Sequence, residues 1–317
     1  MSIDTKAPEA VPTIGESRGE RIRRVLSSRV ASVVALVIAA LWTIPTAGLF
    51  ISSLRPEDDI NDSGWWMFFT NPGSATLETY NYVLYSNTQG GGLIRNLINT
   101  IVITVPGVVV PVVFAAMAAY ALSWIDFRGR NLLYIAIFAL QVVPLQMALI
   151  PLLSFFSQGL HIGDVTITPA WELEGVNTIV QVWIAHSIFG LPLAIFLLHN
   201  FMRELPGDVM EAARIDGASH SQIFRKVVLP LVTPAIASIA IFQFLWVWND
   251  FLVGRTFGGG EATRPLTAVL GDMAGSWGNN WTRLPAAGFI AIIVPLLVFL
   301  LLQRYFVRGL LAGSVKG

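Results

Sequence analysis

The chain has 317 residues, 54% of them hydrophobic and only 13% charged, and its formal net charge is zero. A soluble chain of this length could not bury so much apolar surface, so the composition predicts a polytopic membrane protein. Zero net charge argues against recruitment of nucleic acid by a global field, and the lack of cysteine excludes disulfides and thiolate chemistry.

Residues 1–28 are predicted to be a cytoplasmic tail, disordered to about residue 24 because Pro, Gly, Ser and charges are mixed there. Six charge-free windows follow, each with at least the roughly 20 residues that a helix needs to cross about 30 Å of hydrocarbon. The windows are Val30–Leu54, Asn96–Ile125, Asn131–Leu160, Gly175–Met202, Val227–Asn249 and Leu284–Gln303. Since they are continuously apolar rather than alternating, we expect an all-α fold of six transmembrane helices, the first at 29–54.

The distribution of basic residues predicts the orientation. With the N-terminus inside, 15 of the 20 Lys and Arg residues fall on the cytoplasmic side and 5 outside. This positive-inside bias places both termini in the cytoplasm. On the outer side we expect a loop at 55–94, a second at 159–175 and a third at 254–283. The first is acidic and carries Trp65, Trp66, Phe68 and Phe69, which suit either an interfacial aromatic belt or a docking surface.

A polar module, EAARIDGASHSQIFRKVVLP, lies between the fourth and fifth windows, inside a predicted cytoplasmic loop at 203–229. Asp208 with Glu211 fits a capping box that starts a short helix. Gly217 suits the left-handed position after that helix, and Ser219 with Gln222 repeats the box for a second one. The pattern predicts a stiff elbow, either inserted into a partner protein or lying on lipid head groups.

The same residues carry a resemblance. Glu211-Ala212-Ala213, then Gly217, then Leu229-Pro230 resemble the EAA loop of ABC-importer permeases, with Val227 in place of the usual Ile. The ending QRYFVRGLLAGSVKG and the stretch WNDFL at 248–252 are similar to sugar-importer permeases of the maltose type. The resemblance covers roughly Arg95 to the C-terminus, with a permease core at 95–306, and implies the type I importer fold in a bacterial inner membrane.

The resemblance implies several partners and roles. The expected assembly is a heterodimer with a second permease subunit, two cytoplasmic ATPase subunits and an external sugar-binding protein. The coupling residues would be Glu211, Ala212, Ala213, Arg214, Asp216, Gly217, Leu229 and Pro230. The tail 307–317 would reach the ATPase through Gly309, Gly313, Lys316 and Gly317. Contacts with the binding protein would involve Gly259, Trp277 and Trp281.

The chain contains no G-x-x-x-x-G-K-[ST] phosphate loop. We therefore expect a non-catalytic subunit that binds no cofactor, with ATP and Mg held by the partner ATPase. Sugar hydroxyls and sugar C–H faces suit amides and an aromatic ring. The candidates for a substrate cavity, each also suited to hydrogen bonds between helices, are Asn99, Gln141, Gln146, Gln243, Trp246 and Asn249.

Rival functions remain open at this point. A peptide or amino-acid importer of the same class is the nearest alternative. An ion-driven transporter would need paired charges inside the membrane, with Asp250 the carboxylate nearest to a span. An intramembrane enzyme would need a nucleophile with a base or a metal-ligand motif, and the spans show neither pattern. His186 and His199 are expected to be packed residues, since neither has a second ligand at a metal-binding spacing.

Overall fold

The computed structural model describes residues 18–86, 92–171, 173–258, 260–275 and 281–312. In chain order the α-helices are α1 Arg18–Ser53, α2 Glu57–Asp62, α3 Glu78–Asn81, α4 Gly92–Trp124, α5 Arg130–Leu140, α6 Leu145–Gln158, α7 Thr178–Arg203, α8 Gly207–Ile215, α9 His220–Ile223, α10 Leu229–Asn249, α11 Leu252–Phe257, α12 Leu266–Gly275 and α13 Leu284–Ala312. Single turns of 3₁₀-helix are Trp65–Thr70, Pro72–Ser74, Gly175–Asn177 and Trp281–Arg283, and turns of π-helix are Tyr82–Ser86 and Phe224–Val228. The strands β1 Leu160–Ile162 and β2 Val165–Thr168 form an antiparallel hairpin in which Ile162 pairs with Val165.

The helical membrane architecture predicted from the sequence is confirmed. Within the described residues, five helical segments are long and apolar enough to cross a bilayer, and a sixth span is possible if a bent helix pair is counted as one. Five of the six predicted windows fall on α1, α4, α7, α10 and α13. The expected disorder to about residue 24 is wrong from Arg18 onward, because α1 begins there.

The third window is not the single helix that we predicted. It forms two helices, α5 and α6, whose axes differ by 103° across a break at residues 141–144. The physical reason is Pro144, which has no amide hydrogen to donate and disfavours a helical conformation at Val143. Pro144 itself is extended, with φ −60° and ψ 134°, and the first turn of α6 follows it.

The packed centre of the molecule is α4, which contacts α7 most extensively and α10 next. The helix α10 in turn packs against α13. Ala115, Ala116 and Ala119 on α4 are buried within the largest apolar cluster, and small side chains of this kind allow helices to approach closely in a membrane. By contrast, α1 lies at the edge and has only 6% of its apolar window buried, so its surface is available to lipid or to a partner.

Prolines inside the spans are braced by neighbouring helices. Each proline removes a helical hydrogen bond and leaves the carbonyl four residues earlier without its usual donor. At three of them a side-chain N–H from another span donates to that carbonyl. The pairs are Trp183 Nε1 to Val102 at 2.9 Å (Pro106), Gln243 Nε2 to Gly107 at 3.2 Å (Pro111) and Trp248 Nε1 to Ala291 at 3.1 Å (Pro295). These bonds satisfy backbone groups that lipid could not.

Candidate coupling elbow and membrane cavity

The polar module folds as the predicted elbow, although its first cap differs. The helix α8 begins after Pro206, whose extended backbone (φ −60°, ψ 127°) is followed directly by Gly207, and no side chain caps it. The predicted Asp208–Glu211 capping box is therefore wrong. Asp208 lies in the first turn instead, where a carboxylate interacts favourably with the helix dipole.

The turn after α8 is the left-handed one predicted from Gly217. Its φ is +76°, which a residue with a Cβ adopts only at a cost. The amide of Gly217 donates to the Arg214 carbonyl and the amide of Ala218 to the Ala213 carbonyl, both at 3.0 Å. These bonds close the end of α8 tightly.

The second half of the elbow runs without interruption into the fifth span. Ser219 and Gln222 form the predicted reciprocal box, with Ser219 N to Gln222 Oε1 at 2.8 Å and Gln222 N to Ser219 Oγ at 3.4 Å. From α9 the chain continues through the π-turn Phe224–Val228 into α10. Leu229 and Pro230 thus lie where the π-turn passes into α10, at the start of a span.

The elbow has a docked face and an open face. Met210 (1% exposed) and Ile223 (2%) are buried in the apolar cluster around α4 and α7. On the open face Ile215 is 83% exposed. Ile215 is not a member of the predicted coupling set. Within that set the exposed residues are Glu211, Ala212, Arg214, Asp216, Gly217 and Pro230, while Ala213 and Leu229 are half-buried. This face is therefore open in the single chain, where lipid head groups or another protein can contact it.

The docked face is fastened to the C-terminal end of α4. Tyr120 Oη lies 3.1 Å from His220 Nδ1, and the rings of Tyr120 and Phe224 are 5.1 Å apart. Arg214 donates to the carbonyl of Trp124 at 3.0 Å. These contacts could not be predicted from local sequence patterns, since the partners are at least 90 residues apart. Arg214 therefore holds the elbow to α4 and also belongs to its open face.

A cavity of about 480 Å³ opens where α5 and α6 meet, between the bend and the spans α7 and α10. Two predicted substrate residues line it, Gln141 and Trp246. The side chain of Gln141 donates to the carbonyl of Pro192 at 3.2 Å. Gln146 is exposed on the first turn of α6 and is not among the lining residues.

The other three predicted cavity residues are placed elsewhere. Gln243 is 8% exposed and satisfies the carbonyl of Gly107, and Gly190 leaves room for it, because a Cβ there would lie 2.4 Å from Gln243 Nε2. Asn99 donates to carbonyls of the outer loop, and Asn249 donates to the carbonyl of Leu245 at 2.7 Å. These amides stabilise contacts of the fold.

The remaining predicted positions are only partly described. Trp281 is 45% exposed at the outer end of the last span, and Gly309 lies within α13. The other five lie outside the described residues: Gly259, Trp277, Gly313, Lys316 and Gly317.

A titratable pair that sequence reasoning missed joins α7 to the start of the outer loop. His186 is fully buried, and its Nε2 lies 3.5 Å from Asp250 Oδ2, while Asp250 also accepts the amide of Gly254 at 2.9 Å. The two residues are distant in sequence, so no local pattern could indicate the pair. Among the residues that the structure describes, no group of three metal-ligating side chains is close enough to hold an ion.

Long apolar helices packed around α4, with a polar elbow fastened at its end, are the architecture of a multi-pass membrane protein. The chain belongs to the family of binding-protein-dependent transport system inner membrane components, whose model matches residues 107–311. The predicted ABC-importer permease identity is thus confirmed. The EAA-like motif and the span that precedes it both fall inside the matched region.

Relatives agree along nearly the whole chain. The osmoprotective compounds uptake permease protein GgtD of Synechocystis sp. is 48% identical over 288 residues, which cover 90% of this chain and 91% of that protein. The alpha-glucoside transport system permease protein AglG of Rhizobium meliloti is 38% identical, with 89% and 95% covered. A chain from a bacterial ABC transporter that imports the acidic polysaccharide alginate shares the fold, with a TM-score of 0.69, 24% identity and coverage of 93% and 100%.

Proposed function

We propose that this chain is one of two different permease subunits in an ATP-driven, binding-protein-dependent importer of disaccharides or oligosaccharides. It crosses the bacterial inner membrane six times, counting α5 and α6 as one broken span, and both termini are cytoplasmic. The observation that carries this proposal is the elbow, which is fixed to its own spans on one face and leaves Glu211, Ala212 and Ile215 open on the other.

In this proposal the open face sits in a cleft of one cytoplasmic ATPase subunit of a pair. ATP and Mg bind to that pair, and closure of the pair moves the elbow. Because the Ser219–Gln222 cap and the Gly217 turn make the elbow stiff, the displacement passes to the spans and switches the cavity between inward-facing and outward-facing states. The tail from Gly309 to Gly317 reaches toward the ATPase pair, and the loop carrying Gly259, Trp277 and Trp281 meets the external binding protein.

Carbohydrate is favoured as the substrate by the name of the alpha-glucoside permease, 38% identical, and by the solved alginate importer with the same fold. The cavity at the helix break offers an amide and an indole, Gln141 and Trp246, which suit sugar hydroxyls and sugar C–H faces. A second candidate class is favoured by the relative that is 48% identical, whose name refers to osmoprotective compounds.

The test is transport by the assembled complex in proteoliposomes. The cognate binding protein is first titrated against α-glucosides, other oligosaccharides, osmoprotective solutes, amino acids and short peptides. Uptake of the bound solute that requires ATP inside the vesicles supports the proposal when the solute is a sugar. Binding of amino acids or peptides alone would overturn the substrate class, and uptake driven by an ion gradient without ATP would overturn the mechanism.

A separate measurement tests the subunit roles. The purified single chain should hydrolyse no ATP with Mg, whereas the complex with its ATPase subunits should hydrolyse ATP and be stimulated by the loaded binding protein. Hydrolysis by the single chain at a rate similar to that of the complex would contradict the division of labour.

A further inference from the structure

The helix α4 is attached to functional segments at both of its ends. It has 33 residues, and at 1.5 Å per residue its length is about 50 Å, which exceeds the hydrocarbon thickness. Its cytoplasmic end holds the elbow through Tyr120 and Trp124. One helix thus contacts both the segment proposed to meet the ATPase and the loop on the opposite side of the membrane.

At the outer end, polar side chains of α4 hold the backbone of the outer loop. The amide of Asn99 donates to the carbonyls of Ala262 and Arg264 at 2.9 and 3.1 Å, and Asn96 donates to Arg264 at 3.0 Å. Thr100 Oγ1, 2% exposed, accepts the amide of Leu266 at 2.8 Å. Hydrogen bonds to backbone groups fix the position of the loop whatever side chains it carries.

The middle of α4 is braced rather than free to hinge. Pro106 and Pro111 would weaken an isolated helix. Their released carbonyls are bonded by Trp183 of α7 and Gln243 of α10. These two bonds hold the helix at its prolines against α7 and α10.

We propose that α4 is a rigid link that couples the position of the outer loop to the position of the cytoplasmic elbow. This inference rests on the proposed function. Thr100 and Tyr120 are positioning residues at its two ends. By this route, docking of the loaded binding protein on the outer loop changes the geometry of the elbow, and with it the rate of ATP hydrolysis.

Two isosteric substitutions on one face of α4 test this link. Thr100→Val removes the hydroxyl that holds Leu266, while Thr104→Val, one turn further, removes an equally buried hydroxyl (1% exposed) that has no hydrogen-bond partner in the described structure. In the reconstituted complex, ATPase activity is measured with and without the loaded binding protein. We expect T100V to lower the stimulation about threefold or more with basal hydrolysis unchanged, and T104V to match the wild type.

The outcomes separate the link from the proposed function. Equal stimulation in T100V, T104V and wild type would overturn the link while leaving the importer intact. Equal loss in both variants would also overturn it, since general packing would then be responsible. Failure of the wild-type complex to show any stimulation by its binding protein would overturn the proposed function itself.

A cross-link gives a second test that does not depend on how T100V folds. The chain contains no cysteine, so Asn99→Cys with Ala262→Cys, in cysteine-free partners, can be joined by a short thiol-reactive linker. Without the linker, the double variant should lose the stimulation of its ATPase activity by the loaded binding protein. Linking should restore that stimulation, because the loop is again fixed to α4. Stimulation abolished by the linker would show that the loop must separate from α4, which contradicts the proposal.

The two ends can finally be compared in a double-mutant cycle. Tyr120→Phe removes the contact with His220 and should lower stimulation as T100V does. If both act on one link, T100V/Y120F should lose no more than the stronger single variant. Fully multiplicative losses would show two independent routes and would contradict a single link.

Discussion

The elbow and the third apolar window differ in how well their shapes were predicted, although local residues determine both. In the elbow, Gly217 has the left-handed backbone and Ser219 with Gln222 the reciprocal cap that the sequence predicts. In the third span, an apolar composition predicts one straight helix, yet α5 and α6 are bent by 103° at Pro144. Hydropathy reports which solvent a segment prefers, whereas caps, glycines and prolines report where its backbone turns.

The largest effect should come from breaking the stiffness of the elbow. Gly217→Pro cannot adopt a φ of +76° because the ring fixes φ near −65°, and it removes the amide bonded to Arg214. We expect ATP-dependent uptake to be abolished while the complex still inserts in the membrane. The control is Gly207→Ala, in a helical first turn with no atom within 4 Å of the added Cβ, which should transport normally. Unchanged uptake in G217P would contradict the role of a stiff elbow.

The docked and open faces of the elbow should respond differently to truncation. Met210→Ala deletes a fully buried side chain, so it should cost about 2–5 kcal/mol and lower the midpoint of thermal unfolding in detergent.

The matched variant Ile215→Ala removes a side chain that is 83% exposed, so the midpoint should not change. Its effect should appear as several-fold weaker retention of the ATPase subunits by the tagged permease. A normal unfolding midpoint for M210A, or full ATPase retention by I215A, would show that the faces are misassigned.

A smaller effect should follow from removing one brace at a proline. Trp248→Phe leaves the carbonyl of Ala291, freed by Pro295, without its donor, at a cost of about 1–3 kcal/mol in stability. Restoring the helical donor with Pro295→Ala should rescue it, so that W248F/P295A unfolds at a higher temperature than W248F. If P295A fails to raise the midpoint of W248F, the indole does not act through that carbonyl.

Most of the fold could be predicted from local sequence patterns: apolar windows for the spans, and a glycine and a cap for the elbow. Contacts between distant segments could not be predicted in this way. Asn99, Gln243 and Asn249 have the residue type expected of a sugar site, yet each donates to a backbone carbonyl of this chain. Of the six residues predicted for a sugar site, Gln141 and Trp246 line the cavity. The bend at Pro144 creates that space, and composition alone does not indicate the bend.

The break between α5 and α6 also predicts which part of the surface meets water. This prediction comes last because both variants that test it should retain function. Backbone that is not helical is not tolerated against lipid and must be covered by protein or line an aqueous space. Val142, at the break, is 78% exposed in the single chain, whereas Val113, 49% exposed, lies within the continuous helix α4.

In the complex, Val142→Cys should therefore react with a charged thiol reagent about tenfold faster or more than Val113→Cys, and substrate or ATP should change only the faster rate. The absence of native cysteine makes both measurements specific to the introduced thiol. Equal, slow labelling of the two would place the break against lipid or a dry subunit interface, and the cavity beside Gln141 and Trp246 would then have no aqueous path to either side of the membrane.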